Sequence, residues 1–590
     1  MRKKYIGVSE RKWQLREQED RLSVFLATQL NLPSTIAQLL TSRKIKDVEE
    51  AQQFLSPSLR KSMQDPFTLK DMDKAVHLIV KALRMKKRIA VFGDYDVDGA
   101  TSTALLKRFF RCIGEDVTIY IPDRKKEGYG PNIEAFKSLA QQGHSVLITV
   151  DCGTTAFDVF EAARNMGMQF IVVDHHKAEA KLPNVDAIVN PCRLDFPTPE
   201  LQNLAAVGLS FMLVVALNKV LKEQGFYKEK SSPDLRLLLD IVALGTVADV
   251  VKLEGLNRVF VSQGLKVLHK RLNVGLNSLC DVSGIDQPPD AYHLGFVLGP
   301  RINAGGRVGK ADFGTKLLST QDVKEAQEIA SELNKYNQER QEIEAQVLDE
   351  AIKQVEDKQL YRNSCIVVGS KGWHPGVIGI VSSRLKEKYQ KPAAVISYDD
   401  KNIGKASGRS VEGIDFGSLI HKACHEDILI NGGGHSMAVG FSLDKEKQEK
   451  LSHFLEEHLQ KKVEENELIH KYDLELSLDG INLDLLDNIE RLSPFGMGNP
   501  IPKFRFRQAR LGFADVVGKN HIRCRFNKNE KGYIEAIAFR CVDTPLGELL
   551  LSSKNNPIDI IGTLRKETWM GREKVKIFLE DIIIAEEERA

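Results

Sequence analysis

The stretch VFGDYDVDGATS, Val91 to Ser102, sets three aspartates, Asp94, Asp96 and Asp98, directly behind the apolar run Ile89 to Phe92. A strand that ends in three like charges leaves carboxylates that repel one another unless something positive lies between them. The helical pattern ATSTALLKRFFRCIG follows at once, so the aspartates fall in a strand-to-helix turn, with Gly93 and Gly99 suited to its tightness. Taken singly, an aspartate after a strand is also an ordinary helix N-cap or turn residue.

The same alternation continues outward. RIAVFGD, DVTIYIPD, SVLITVDCG and QFIVVDHH read as strands, and amphipathic helical segments separate them, which predicts a parallel sheet covered on both faces. Ligands of such sheets bind beyond the carboxyl ends of the strands, and here those ends are acidic. Asp151 ends the third strand, Asp174, His175 and His176 end the fourth, and the buried stretch LLLDIVALGTVADVV delivers Asp249. Repeated over successive strand ends, these residues are hard to explain as caps alone. Carboxylate oxygens joined by imidazole suit Mn²⁺ or Mg²⁺ better than a thiolate-preferring metal. With this many donors, two ions sharing a bridging aspartate fit, an arrangement suited to phosphoester cleavage.

Composition narrows the rest. The 590 residues exceed one ordinary core, so the chain is expected to fold as several domains. Hydrophobic residues make up 42% and charged residues 28%, with no apolar run long enough to cross a bilayer, which predicts a soluble protein without a membrane partner. The eight cysteines are scattered with no C-x-x-C pair, and MRKKYIGVSERKWQLREQ does not read as a signal peptide; a cytoplasmic location is the expectation. A net charge of +2 decides nothing about nucleic acid.

We expect an α/β catalytic lobe at 76–320 behind a helical N-terminal arm at 1–75, and a long connecting helix at 321–357. A second α/β lobe at 358–460 and a C-terminal β-barrel at 465–588 complete the chain, the barrel predicted from short, regularly spaced strands.

VFGDYDVDGATS, TVDCG, VVDHH and GTVADVV, in this order, resemble the DHH phosphoesterase superfamily, and GPRINAGGR, GWHPGVIGIVSSRL, SGRS and GGGHSMAVG narrow the resemblance to the RecJ exonucleases. SPFGMGNPIPKF extends it toward the C-terminus. The resemblance implies a DHH lobe, a DHHA1-like second lobe and an OB-fold barrel. It implies a 5′ to 3′ exonuclease specific for single-stranded DNA, acting in repair and recombination beside a helicase and a single-strand-binding protein. Metal ligands then fall at Asp94, Asp96, Asp98, Asp151, His175 and Asp249. Asp98, Asp151, His175, His176 and His435 would serve the chemistry. Whether Asp94 and His176 touch an ion or stand behind a ligand, the spacing leaves open.

Arg124, in IPDRKKEGYGPN, is implied to reach the nucleic-acid terminus, with Ser407 and Arg409 gripping the 5′ phosphate, because a guanidinium can hold a phosphate bidentately. Arg301, Asn303, Arg307 and His374 are further DNA-binding candidates, although Trp373 beside His374 also fits ordinary packing. His435, set among glycines, is expected at the scissile phosphate. On the barrel, Arg505, Arg507, Arg523 and Arg525 with Phe504, Phe526, Tyr533 and Trp569 are candidates for holding the strand. Alternating Arg and Phe is equally the pattern of a half-buried strand with Phe inward.

Overall fold

The computed structural model describes residues 3–124, 127–128, 130–465, 468–529, 532–553, 556–569 and 572–586. Five strands, β1 (Arg88–Gly93), β2 (Thr118–Tyr120), β3 (His144–Val150), β4 (Gln169–Val173) and β5 (Ala187–Val189), form an all-parallel sheet in the order β2-β1-β3-β4-β5. Ile89, Val91, Ile148 and Ile171 enter one apolar cluster, while Ala90, Phe92, Leu147 and Phe170 enter another. Burial on both faces explains why these strands read as continuous apolar runs. The strand order reverses at β1, which opens a crevice between the carboxyl ends of β1 and β3. GDYDVDG leaves β1 and Asp151 leaves β3, so both arrive at this crevice.

Among the helices around this sheet are α1 (Val97–Cys112), α2 (Ala206–Glu223), α3 (Leu239–Ala248) and α4 (Gly299–Val308). Helix α5 (Val323–Asp357) is the expected connector. Its first half buries Ala326, Ile329, Ala330 and Leu333 in the first lobe, and its second half buries Val347, Ala351 and Val355 in the next. That division keeps the apolar stripe sparse in sequence, because each lobe needs only part of it.

The second lobe is a mixed sheet of β6 (Ile366–Lys371), β7 (Ala393–Tyr398), β8 (Ile403–Arg409), β9 (Asn431–Gly434) and β10 (Ala438–Asp444), in the order β9-β10-β8-β7-β6. Beyond it, β11 (Lys503–Val517), β12 (His521–Asn527), β13 (Tyr533–Ala538), β14 (Pro557–Trp569) and β15 (Arg572–Glu586) close a five-stranded barrel. Closure comes from β14 pairing with both β11 and β15.

The N-terminal arm departs from the expected helical unit. Lys4–Gly7 and Lys12–Leu15 are strands that extend the barrel sheet from β15. Trp13 is fully buried there and donates its indole N–H to Asp581 at 2.7 Å. The helices that follow, from Asp20–Leu30 to Val48–Leu55, place Leu26, Ile36 and Leu40 in the same core as the barrel residues Leu511 and Ile560. The expected boundary at residue 75 also falls inside the helix Met72–Arg84, whose apolar face belongs to the first lobe. Pairing across more than 560 positions of sequence is not visible in a local pattern. Among the described residues no helix is long and apolar enough to cross a membrane.

Candidate active site

The first turn of α1 is built on the aspartates. Asp96 is its N-cap, accepting the amides of Asp98 and Gly99 at 2.9 and 3.1 Å, so the cap reading and the cluster reading of this residue are both true. Gly99 is obligatory: a Cβ would lie 2.3 Å from the Asp94 carbonyl oxygen. Asp98 accepts the amides of Ala206 and Val207 at 2.6 and 2.9 Å, which fixes it against the unpaired N–H groups at the start of α2. Asp151 leaves β3 in the left-handed region at φ 61°, a conformation that Asp tolerates better than most residues. Asp249 is the C-cap of α3.

His175 draws these together. Its Nε2 lies 3.3 Å from Asp151, 3.7 Å from Asp249 and 3.8 Å from Asp98. Three donor groups result: Asp94, Asp96 and Asp151; Asp98, His175 and Asp249; and Asp151, His175 and His176, each with ligand atoms within 4.8 Å of one another. Asp151 and His175 each stand in two of them. All six expected ligands are therefore assembled, with Asp94 among them and His176 at the edge.

The crowded carboxylates resist ionising together, which suits a site for a cation. Burial, then repulsion from Asp96, pushes Asp94 up to about 8 and Asp98 up to about 7, the latter despite its two amide donors. Burial and neighbouring aspartates raise Asp151 and Asp249 well above the carboxylate range. Asp94 Oδ1 is buried and finds no hydrogen-bond partner among the described residues. Burial, then the neighbouring His176, lowers His175 to about 4, which leaves a neutral imidazole free to donate a lone pair. Oxygen and imidazole donors without thiolate fit divalent Mn²⁺ or Mg²⁺.

Asp174, the first letter of the Asp-His-His run, received no role from the sequence, yet it organises the corner. It accepts the amides of Thr154, His175 and His176 and the Nδ1 of His176 at 2.7 Å. Burial works against ionisation of both partners, but their mutual hydrogen bond prevails: His176 rises to about 9 and Asp174 falls below the usual carboxylate range. His176 thus carries a positive charge beside the cluster, held in one orientation.

Between the lobes lies a cavity of about 720 Å³. Arg124 and Arg307 line it from the first lobe, and His374, Lys405, Ser407 and Arg409 from the second. Burial, then the proximity of Arg124, draws Arg307 down to about 10 and lowers Arg409. Three guanidiniums lining one cavity form a site for an anion. Arg124 is steadied over the Tyr95 ring, 5.1 Å from its centroid, and Arg307 donates to the Gly376 carbonyl across the lobes at 2.8 Å. Gly306, to which the sequence assigned nothing, packs so closely that a Cβ would lie 2.9 Å from the Tyr95 carbonyl. Arg409 donates to Ser407 Oγ at 3.1 Å. His435 is exposed in the turn between β9 and β10, where partial burial, then the charges of Lys177 and His176, lowers its pKa.

Some expected residues do not reach this site. Arg301 donates to Asn334 at 3.0 Å and to the Val297 carbonyl at 2.7 Å, tying α4 to α5, and is not among the residues that line the cavity. Asn303 is half-buried on the same helix and likewise not part of the lining. Arg505 is buried and ion-paired with Asp559 and Glu475, so it does not offer its guanidinium to a strand; Arg507 is exposed, 3.8 Å from Glu475. Phe504 and Phe526 lie in the barrel core, whereas Tyr533 is exposed and Arg525 lies 4.7 Å from its ring centroid. Arg523 is half-exposed and paired with Asp515 at 2.7 Å. The Trp569 side chain lies outside the described residues.

Three family models match the chain: the DHH family N-terminal domain at 88–246, the DHHA1 domain at 362–461 and the RecJ OB domain at 472–581. The single-stranded-DNA-specific exonuclease RecJ of Bacillus subtilis (strain 168) is 34% identical over 583 residues, covering 98% of this chain and 71% of that protein. The crystal structure of RecJ in complex with Mn²⁺ from Thermus thermophilus superposes with a TM-score of 0.81 at 27% identity, covering 98% of this chain and 80% of the other. The Mg²⁺ complex of RecJ from the same organism gives a TM-score of 0.75 at 26% identity, with 98% and 79% covered. On the strength of these three domains and this identity along nearly its whole length, the chain belongs to the RecJ family of single-stranded-DNA-specific exonucleases.

Proposed function

We propose that the protein is a divalent-metal-dependent exonuclease that degrades single-stranded DNA from the 5′ end and releases 5′ mononucleotides in DNA repair and recombination. The observation that carries this reading is the facing of two opposites: a carboxylate and imidazole cluster on one lobe, and an arginine-lined cavity shared with the other. Asp94, Asp96, Asp98, Asp151, His175 and Asp249 would hold two Mn²⁺ or Mg²⁺ ions. Such a pair lowers the pKa of a water at neutral pH and offsets negative charge on the attacking and leaving oxygens.

The chain's own side chains set the rest. Arg124, Ser407 and Arg409 would take the terminal 5′ phosphate, which places the first phosphodiester beyond the cavity, toward the cluster. Arg307 holds the two lobes in register. His176, kept as a cation by Asp174, and His435 would face the scissile phosphate from opposite lobes and steady its charge. A cleft lined from both sides admits one strand and excludes a duplex. A helicase and a single-strand-binding protein would supply and guard the strand, in the cytoplasm.

The test offers the protein, with Mn²⁺, a single strand labelled at its 5′ end, the same strand labelled at its 3′ end, and their duplexes. Label appears as a mononucleotide at once from the 5′-labelled single strand, late from the 3′-labelled one, and not from either blunt duplex. Early release from the 3′ end would overturn the polarity, and equal rates on duplex would overturn the strand selectivity.

A further inference from the structure

We infer that an apolar groove between the first lobe and the segment preceding the barrel is a stacking platform for the bases of the single strand. The inference rests on the nucleic-acid reading above and extends it to a surface outside the metal cluster and the arginine cavity. The groove, about 690 Å³, is lined by Val250, Tyr292, Phe296, Phe495, Met497 and Arg565 among others. Tyr292 and Phe296 lie one helical turn apart with ring centroids at 5.2 Å and planes at 26°, and they are 57% and 72% exposed. Val250 and Met497 are 65% and 55% exposed beside them. Single exposed apolar residues are ordinary, but four around one groove mark a binding surface.

Three observations commit the groove to a nucleic acid strand. It adjoins the reaction site, because Val250, which lines it, directly follows Asp249 of the cluster. Its two rings form a stacked pair that stays more than half exposed, an aromatic surface on which bases can stack without regard to sequence. It also carries cations: Lys266 lines it, and Arg565, near Asp290 and Tyr292, has a buried Nε with no hydrogen-bond partner among the described residues. From Arg565 the aromatic surface runs on over the barrel. Its guanidinium lies 5.8 Å from the Phe578 ring centroid, Phe578 meets Phe539 at 5.3 Å, and half-exposed Phe539 meets His521 at 5.2 Å. Bases stacked along this line would hold the strand without reading its sequence.

The test measures DNA binding by the full chain in chelator, where the result does not depend on cleavage. Fluorescence anisotropy gives the Kd for a single strand of about 30 nucleotides and for a trinucleotide, which reaches only the cavity and the cluster. The double variant Tyr292→Ala with Phe296→Ala should weaken the long strand about tenfold or more, leave the trinucleotide unchanged, and abolish the quenching of 2-aminopurine placed a few bases from the 5′ end. Tyr292→Trp should retain long-strand affinity, since a larger ring still stacks. Unchanged affinity for the long strand, as expected if the groove receives a peptide, would overturn the inference, and so would equal weakening of both ligands. Failure of the wild-type protein to cut the strand in Mn²⁺ would count against the exonuclease reading alone.

Discussion

Asp151→Asn should reduce cleavage of single-stranded DNA on the order of a thousandfold or more while leaving DNA affinity within a few fold, measured by single-turnover kinetics and by binding. Asp151 stands in two of the three donor groups, and removing its charge disturbs both at once. Asparagine is the informative substitute, because it keeps the side chain's volume and tolerates φ 61° at this turn. Alanine adds backbone strain of about 1 kcal/mol to the loss of the carboxylate, so its effect would mix two causes. Asp151 does not line the arginine cavity, which is why binding should survive.

The second large effect concerns stability. In metal-free protein Asp94, Asp98, Asp151 and Asp249 keep their protons at pH values where the unfolded chain has released them. The native state then binds more protons than the unfolded state, so stability falls as pH rises from about 4 toward 8. His176, raised to about 9, acts in the same direction, with stability lost as pH climbs from 6.5 through that value. His175, lowered to about 4, acts oppositely, but only below its ordinary 6.5. Between about pH 6.5 and 8 the carboxylates therefore decide the sign. Calorimetry of chelated protein should show a destabilisation on the order of a few kcal/mol across this interval. Mn²⁺ binds the deprotonated ligands and should remove the loss, adding about 2.7 kcal/mol at a hundredfold excess over its Kd. A stability that does not change with pH in chelator would mean that the aspartates are not crowded as described.

The sequence was most legible where local pattern and chemistry coincide. Strands β1, β3 and β4 are apolar on both faces, which makes their ends easy to place, and parallel strands bring those ends to one side. That is why Asp96, Asp98, Asp151, His175 and Asp249 could be grouped from positions spread over more than 150 residues. Asp94 is harder, since a turn beginning at Gly93 does not fix where its side chain goes; in the fold its carboxylate lies with those of Asp96 and Asp151. The part played by Asp174 is not legible in sequence, because four hydrogen bonds to one carboxylate are a property of the folded corner.

On the barrel the period-two pattern gave the correct warning. Phe504 and Phe526 face the core, and Arg505 finds Asp559 on β14, a partner 54 positions away that no window of sequence contains. The N-terminal strands were missed for the same reason. Lys4–Gly7 and Lys12–Leu15 are short and mostly polar, and only pairing with β15 makes them strands. Tyr292 and Phe296 are one turn apart on a helix, but the groove they share with Phe495 and Met497 exists only in the folded chain.

Cleavage depends, on this reading, on ions held by the acidic cluster. The most direct measurement strips the protein with chelator and returns Mn²⁺ stepwise, following bound ion and cleavage rate on the same sample. The expected result is no cleavage without metal, a rate that rises as two ions bind per chain, and loss of both signals in Asp151→Asn. Full activity in chelator, or undiminished Mn²⁺ binding and cleavage by Asp151→Asn, would contradict it.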